Sequence, residues 1–194
     1  MHAMSPAPSA PPSPSRLRRH AAPLVLVAAC LGTVATSPQR TPSSISAVVT
    51  STTRLTQDTP TSTHRFVVQV SARNSSELAQ GEVRGQLTAR WKPAGFTASP
   101  AITLRSRLAR VDDSEEPSST LPLDTPDSPE KESLRAAYFK CKLDTECELE
   151  VELSLEAQGK LGEGIVEVEW RVDAEAYTNT DDAPERFAVE IQER

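Results

Sequence analysis

The run Cys147-Glu148-Leu149-Glu150-Val151-Glu152-Leu153-Ser154-Leu155-Glu156 alternates apolar and polar side chains without a break. Period two puts Cys147, Leu149, Val151, Leu153 and Leu155 on one face of an extended chain and the polar residues on the other. A helix would spread both sets around its circumference, so the run predicts a half-buried strand with one solvated face. Val166–Tyr177 repeats the pattern. Val166, Val168, Trp170, Val172 and Ala174 share one side, and Glu167, Glu169, Arg171, Asp173 and Glu175 share the other. Glutamate is a poor strand former, so such strands are held by their buried faces rather than by propensity. Between the two runs, Gln158–Gly164 holds three glycines, which suits a hairpin loop.

Less regular strands precede and follow. Ala47–Leu55 is the first, and a second begins near His64 with Phe66, Val68, Val70 and Ala72 on one face. Val83, Leu87, Ala89 and Trp91 mark a third, closed by Lys92-Pro93. Ile102, Leu104 and Leu108 mark another, with a register change near Ala109 that suggests a bulge. Leu134–Leu143 and Phe187–Ile191 complete about eight strands, and no segment has helical periodicity. The expected fold class is all-β: one antiparallel β-sandwich domain over 47–194, immunoglobulin-like in its nearest variant, with a barrel as runner-up. Outward faces rich in carboxylates exclude a transmembrane barrel. Asp112–Glu132 contains Pro117, Pro122, Pro126 and Pro129 with seven acids by Glu130, and is expected as a long loop unable to pair as a strand. Trp91 and Trp170 fall on apolar faces, as core residues rather than sugar platforms.

The amino terminus is chemically separate. All 27 acids lie at or beyond Asp58, whereas the first 40 residues hold four arginines and no acid. Arg16, Arg18 and Arg19 precede the apolar run Ala21–Ala29, the order of a secretory signal peptide over 1–29. The run is too short for a membrane span, which needs about 20 apolar residues. It leads into Val27-Ala28-Ala29-Cys30, which resembles the lipobox of bacterial lipoproteins. The resemblance implies a diacylglycerol on the Cys30 thiol, cleavage just before it, and acylation of the new amino terminus. It further implies export to the cell envelope, with the membrane as a partner through the lipid. By resemblance to enterobacterial lipoprotein sorting, Leu31 rather than Asp after the cysteine implies the outer membrane, within an expected outer-membrane-anchored or periplasmic localisation. The competing reading is ordinary cleavage after Thr33-Val34-Ala35, which would discard Cys30. Residues 30–46 read as a flexible tether.

Three cysteines are an odd number. Lipid on Cys30 leaves Cys141 and Cys147 as a pair, and an exported compartment is oxidising, so a disulfide is expected. The two bracket Lys142–Glu146, where a hairpin turn would place them on neighbouring strands.

Reactive groups are scarce. A net charge of -6 repels phosphate, against a nucleic-acid partner. Residues 41–111 hold nine bases and three acids, and 112–194 hold eight bases and 24 acids. Strands of the two parts lying side by side would pair these charges. His2 and His20 fall in the leader, which leaves His64 and too few ligands for zinc. A Ser–His–acid triad could run only through His64. Its setting at a strand start among Thr and Arg reads as a solvated bystander, and no Gly-x-Ser-x-Gly elbow surrounds any serine. Glu148, Glu150 and Glu152 share one solvated face, as a charged ladder rather than an acid–base pair. Asp181 and Asp182, in Asn179–Pro184, loosely resemble the calcium linker of cadherins and are the calcium candidates, short of the six to eight oxygens calcium wants. Asn74-Ser75-Ser76 matches a glycosylation acceptor but reads as a turn.

No catalytic residue, metal site or cofactor is therefore assigned. The expected function is that of an exported, lipid-anchored, non-enzymatic binding or structural module with a protein or glycan partner. The alternative is an exported carboxylate-dependent hydrolase or carbohydrate-active enzyme. It would need a concave pocket holding two carboxylates within about 5–10 Å.

Overall fold

The alternating segments are strands, and their apolar faces meet between two antiparallel sheets. The structure, a computed structural model, describes residues 44–73, 75, 77–95, 101–112, 118–134, 137–144, 147–179 and 184–194. Ten strands lie among them: β1 (Ser44–Leu55), β2 (Thr61–Ser71), β3 (Leu78–Lys92), β4 (Thr103–Arg110), β5 (Ser119–Pro122), β6 (Pro129–Leu134), β7 (Tyr138–Lys142), β8 (Cys147–Gln158), β9 (Ile165–Thr178) and β10 (Ala188–Glu193). One sheet runs β1-β9-β3-β6 with β7 also paired to β3, and the other runs β10-β2-β8-β4-β5.

The expected sandwich is present, but its connections differ from those read in the sequence. Among the described residues, only β4 and β5 pair with a chain neighbour. Elsewhere the chain mostly passes from one sheet to the other, an order that belongs to a jelly roll and not to the immunoglobulin-like variant. The loop after β8 is therefore not a hairpin turn, because β8 and β9 lie in opposite sheets. Its glycines serve that crossing. Gly159 adopts φ +114°, which favours glycine. Gly164 lies against the Trp91 ring, where a Cβ would collide.

Other boundaries move for similar reasons. The segment Asp112–Glu132 does hold strand: Ser119–Pro122 is β5 and Pro129–Glu132 opens β6. Pro122 ends one strand and Pro129 begins the other, and both strands pair on one side only, where a missing N–H is tolerated. Leu134–Leu143 is not one strand. β6 and β7 lie end to end along β3, against Gly85–Arg90 and Leu78–Glu82 respectively. β1 starts at Ser44, so the last residues of the expected tether are strand. No bulge occurs at Ala109, since β4 pairs with β8 without interruption from Thr103 to Arg110. Ala109 is buried on the outer face, in a depression lined by Arg65, Arg107 and Glu152, whose long side chains shield it.

Trp91 and Trp170 are core residues at 2 % exposure, joined by Phe66, Leu87, Ile102, Leu104, Leu153 and Leu155. Each large apolar side chain contributes roughly 1.5–3 kcal/mol on burial. Trp170 packs edge-on against Phe66 with centroids 5.5 Å apart. The acid-rich strands β8 and β9 are central in their sheets, each flanked by strands from the basic part of the chain. Arg65 bonds Glu152 at 2.9 Å, Arg54 meets Glu167 at 3.4 Å, Arg105 meets Glu156 at 3.8 Å, and Lys92 also binds Glu167. The uneven charge along the sequence is thus matched across strands, although such surface pairs contribute only about 0–1 kcal/mol each.

Cys141 and Cys147 form the expected disulfide, with Cα atoms 5.7 Å apart. It does not span a hairpin. Cys141 on β7 pairs with Ala79 in one sheet and Cys147 on β8 with Val70 in the other, so the bridge ties the sheets together. Polar side chains join them again along one side, where β5 and β6 approach. There the inward-facing Glu132 of β6 accepts hydrogen bonds from Ser106 of β4, at 2.8 Å, and from Ser119 of β5.

Candidate functional site

On the opposite side of the sandwich, β1 and β10 are the edge strands and stand next to each other. The inward row of β2 is apolar at Phe66, Val68 and Val70 and becomes polar toward its start, at His64 and Ser62. The inward row of β1 brings Thr53 to the same place, β9 brings Trp170, and β10 ends there with Glu193.

These side chains form one chain of hydrogen bonds. Trp170 Nε1–H donates to Thr53 Oγ1 at 3.0 Å. Indole is a donor only, so the Thr53 hydroxyl proton is left for His64 Nε2, 2.9 Å away. Ser62 Oγ lies 3.1 Å from the same nitrogen. His64 Nδ1 is 2.7 Å from Glu193 Oε1. A proton on Nδ1 donated to that carboxylate leaves Nε2 with one lone pair, which both hydroxyls can reach, the tautomer this pattern selects. The imidazole rests on Trp170 with centroids 4.8 Å apart. Its side chain is 17 % exposed and that of Glu193 is 39 % exposed.

His64 is therefore not the solvated bystander that its neighbours in sequence suggest. Extending the period-two row backward from Phe66 would have put His64 and Ser62 inside, and the row Val189, Ile191, Glu193 would have done the same for the carboxylate. Their convergence depends on sheet order, which no local pattern carries.

A second feature is a groove on the outer face of the first sheet. One part, about 360 Å³, is lined by Thr50, Thr52, Gln86, Thr88, Glu169 and Arg171. It shares Gln86 and Arg171 with an adjoining part of about 340 Å³ that holds Glu82, Arg84, Asp173 and Glu175. Hydroxyl and amide groups from β1 and β3 thus flank the charges of β9. Arg171 makes paired hydrogen bonds to Asp173 at 2.6–2.9 Å, and these raise its pKa above the ordinary arginine value. Glu82 stands directly opposite Glu175 in the β3–β9 register, which sets their Cβ atoms roughly 4.5–5.5 Å apart. Arg84 binds Glu82. Two carboxylates therefore do share a groove. Both lie on the outer face of the sheet, and of the two Glu82 is the one paired with an arginine.

The remaining predicted positions sort simply. Cys30, Asp181 and Asp182 lie outside the described residues. Among the described residues no three His, Cys, Asp or Glu side chains gather as a metal-binding group. Glu148 and Glu150 point outward from β8 and are bridged by Arg194 at 3.4 and 2.8 Å.

No protein-family model matches the chain, and no curated protein matches it. Among solved structures, the Yersinia pseudotuberculosis-derived mitogen aligns at 16 % identity over 73 % of this chain and 93 % of its own, with a TM-score of 0.26. The VP2 subviral particle of infectious bursal disease virus aligns at 8 % identity over 78 % of this chain and 40 % of its own, with a TM-score of 0.25. Likenesses this distant carry no argument about what this chain binds or does.

Proposed function

We propose that this is an exported module of the bacterial cell envelope, anchored by lipid on Cys30, that binds an extended polar ligand along the outer groove. The carrying observation is the groove's lining. Thr50, Thr52, Thr88 and Gln86 present groups that both donate and accept, beside one carboxylate, Glu169, and one guanidinium, Arg171. Such a surface suits a hydroxyl-rich chain, and a glycan is the ligand class it fits. The groove's charges are already engaged with one another, Arg84 with Glu82 and Arg171 with Asp173, which suits holding a polar ligand. The Cys141–Cys147 bridge suits an oxidising compartment.

Two experiments test this reading. Replacement of Cys30→Ala should move the protein from the membrane to the soluble fraction and lower its intact mass by the lipid. Continued membrane partitioning with no mass difference would refute the anchor. Binding to an array of neutral oligosaccharides should be lost in the double variant Gln86→Ala, Thr88→Ala. An unchanged binding profile would remove the groove from consideration. The hydrolase alternative rests on Glu82 facing Glu175, and it fails if Glu175→Gln leaves any glycan hydrolysis intact.

A further inference from the structure

The geometry points to Ser62 as a nucleophile for acyl transfer, with His64 as its base and Glu193 as a positioning residue. This site lies between the sheets, apart from the groove, and is independent of it. The three side chains meet the distance requirements of a nucleophile–base–acid relay: Ser62 Oγ to His64 Nε2 at 3.1 Å, and His64 Nδ1 to Glu193 Oε1 at 2.7 Å. Such relays are recognised by geometry and role, not by sequence order or fold. Ser62 and His64 are half-buried at the margin of the sandwich, so the hydroxyl is neither sealed in the core nor fully in water.

The backbone adds the second requirement, a donor for the developing oxyanion. The Pro60 carbonyl accepts from Ala157 N–H on the β8 side. The Arg65 carbonyl accepts from Arg194 N–H on the β10 side. Backbone groups alternate in direction along a strand, so Thr61 and Thr63 also face the β10 side. β10 pairs with β2 only from Phe66 to Ser71. The Thr63 N–H therefore lies on the β10 side of β2, one residue after Ser62. Acyl-transfer enzymes commonly use the N–H of the residue after the nucleophile in this role. The substrate class is an acyl ester.

In the reaction the Ser62 oxygen forms a bond to the ester carbonyl carbon as its proton passes to His64 Nε2. The carbon–alkoxy bond then breaks, and the departing alkoxide takes the proton from Nε2. Water repeats the sequence on the acyl-serine, which releases the acid and restores the hydroxyl. Glu193 accepts from Nδ1–H throughout, which holds the ring and its tautomer in place. Thr53 competes with Ser62 for Nε2, and Trp170 holds Thr53 in place.

The test is covalent labelling of the exported full-length protein with a fluorophosphonate, read by peptide mass spectrometry. One phosphonyl adduct on Ser62 is expected, absent in Ser62→Ala and formed at least ~100-fold more slowly in His64→Gln. In Glu193→Gln the maximal labelling rate should fall while the half-saturating probe concentration stays put, a split that simple loosening would not produce. Thr53→Val should label faster than wild type, because it leaves Nε2 to Ser62. p-Nitrophenyl acetate gives a second measurement, a burst of one acetyl group per chain that is lost in Ser62→Ala. The inference is overturned if the folded wild-type protein forms no adduct at Ser62, or if the adduct forms at the same rate in a folded His64→Gln variant.

Discussion

Where β5 meets β6, the sheets are joined by a carboxylate that accepts two serine hydroxyls. Where β1 meets β10, they are joined by an imidazole that bonds on both sides. The first join is nearly dry at its base, with Ser106 only 1 % exposed. The second is wetter, since the Glu193 side chain is 39 % exposed and water can stand in for it. A buried polar group stripped of its partner bears its full desolvation cost, whereas an exposed one does not. The dry join should therefore be a matter of stability, and the wet one is free to do chemistry.

The disulfide, a third link between the sheets, sets the scale for that contrast. Breaking Cys141–Cys147 by replacing both with Ala should cost about 2–3 kcal/mol in the chain-entropy account of a small closed ring. Urea unfolding of the two proteins measures it, and a change well under 1 kcal/mol would mean the polar joins carry the sheet pairing. Next comes the direct comparison of the two sides. Glu132→Ala orphans the buried Ser106 hydroxyl and should cost about 1–3 kcal/mol. Glu193→Ala should cost only about 0–1 kcal/mol, because His64 keeps Thr53 and Ser62. Equal losses would break the distinction between a dry and a wet join.

What the sequence made legible follows the range of each signal. Period two in Cys147–Glu156 and Val166–Tyr177 identified strands and the side each buries, because alternation is a property of the strand alone. It also placed Trp91 and Trp170 in the core. It could not say which sheet a strand joins. The short connections after Lys142 and Gln158 suit hairpins in sequence, yet both lead to the opposite sheet. A crossing loop and a hairpin loop can have the same length and the same glycines. Prolines misled for a different reason: Pro122 and Pro129 forbid a central strand but not the end of an edge strand. The His64 cluster was invisible because its members come from β1, β2, β9 and β10, and only the sheet order brings those strands together.

Thr53→Val sharpens the wet side further. It removes the acceptor of Trp170 Nε1–H, a donor on a side chain that is 2 % exposed overall. The expected loss is about 1–3 kcal/mol, against little change for Ser62→Ala, whose hydroxyl is the second of two at Nε2. Thermal melts of the two variants separate these cases. Comparable losses would show that Ser62, not Thr53, anchors the imidazole, and would leave no hydroxyl free for reaction.

The smallest effect concerns a pair outside both joins. The Glu167 carboxyl is held below the ordinary glutamate range, first by the hydrogen bond from Lys92 and then by the Arg54 charge. A group whose folded pKa is depressed adds stability that is present above its unfolded value and lost as the pH falls through the folded one. Stability measured by urea midpoint should therefore decline on acidification from the ordinary glutamate range downward, and less steeply in Glu167→Gln. Added salt should screen this part-exposed pair while leaving the Glu132 join almost untouched, since its donors are neutral serine hydroxyls. If salt weakened wild type and Glu132→Ala by different amounts, Glu132 would be taking part in a charge pair as well as in the serine bonds. The dry join would then owe some of its strength to the same surface electrostatics as β8 and β9.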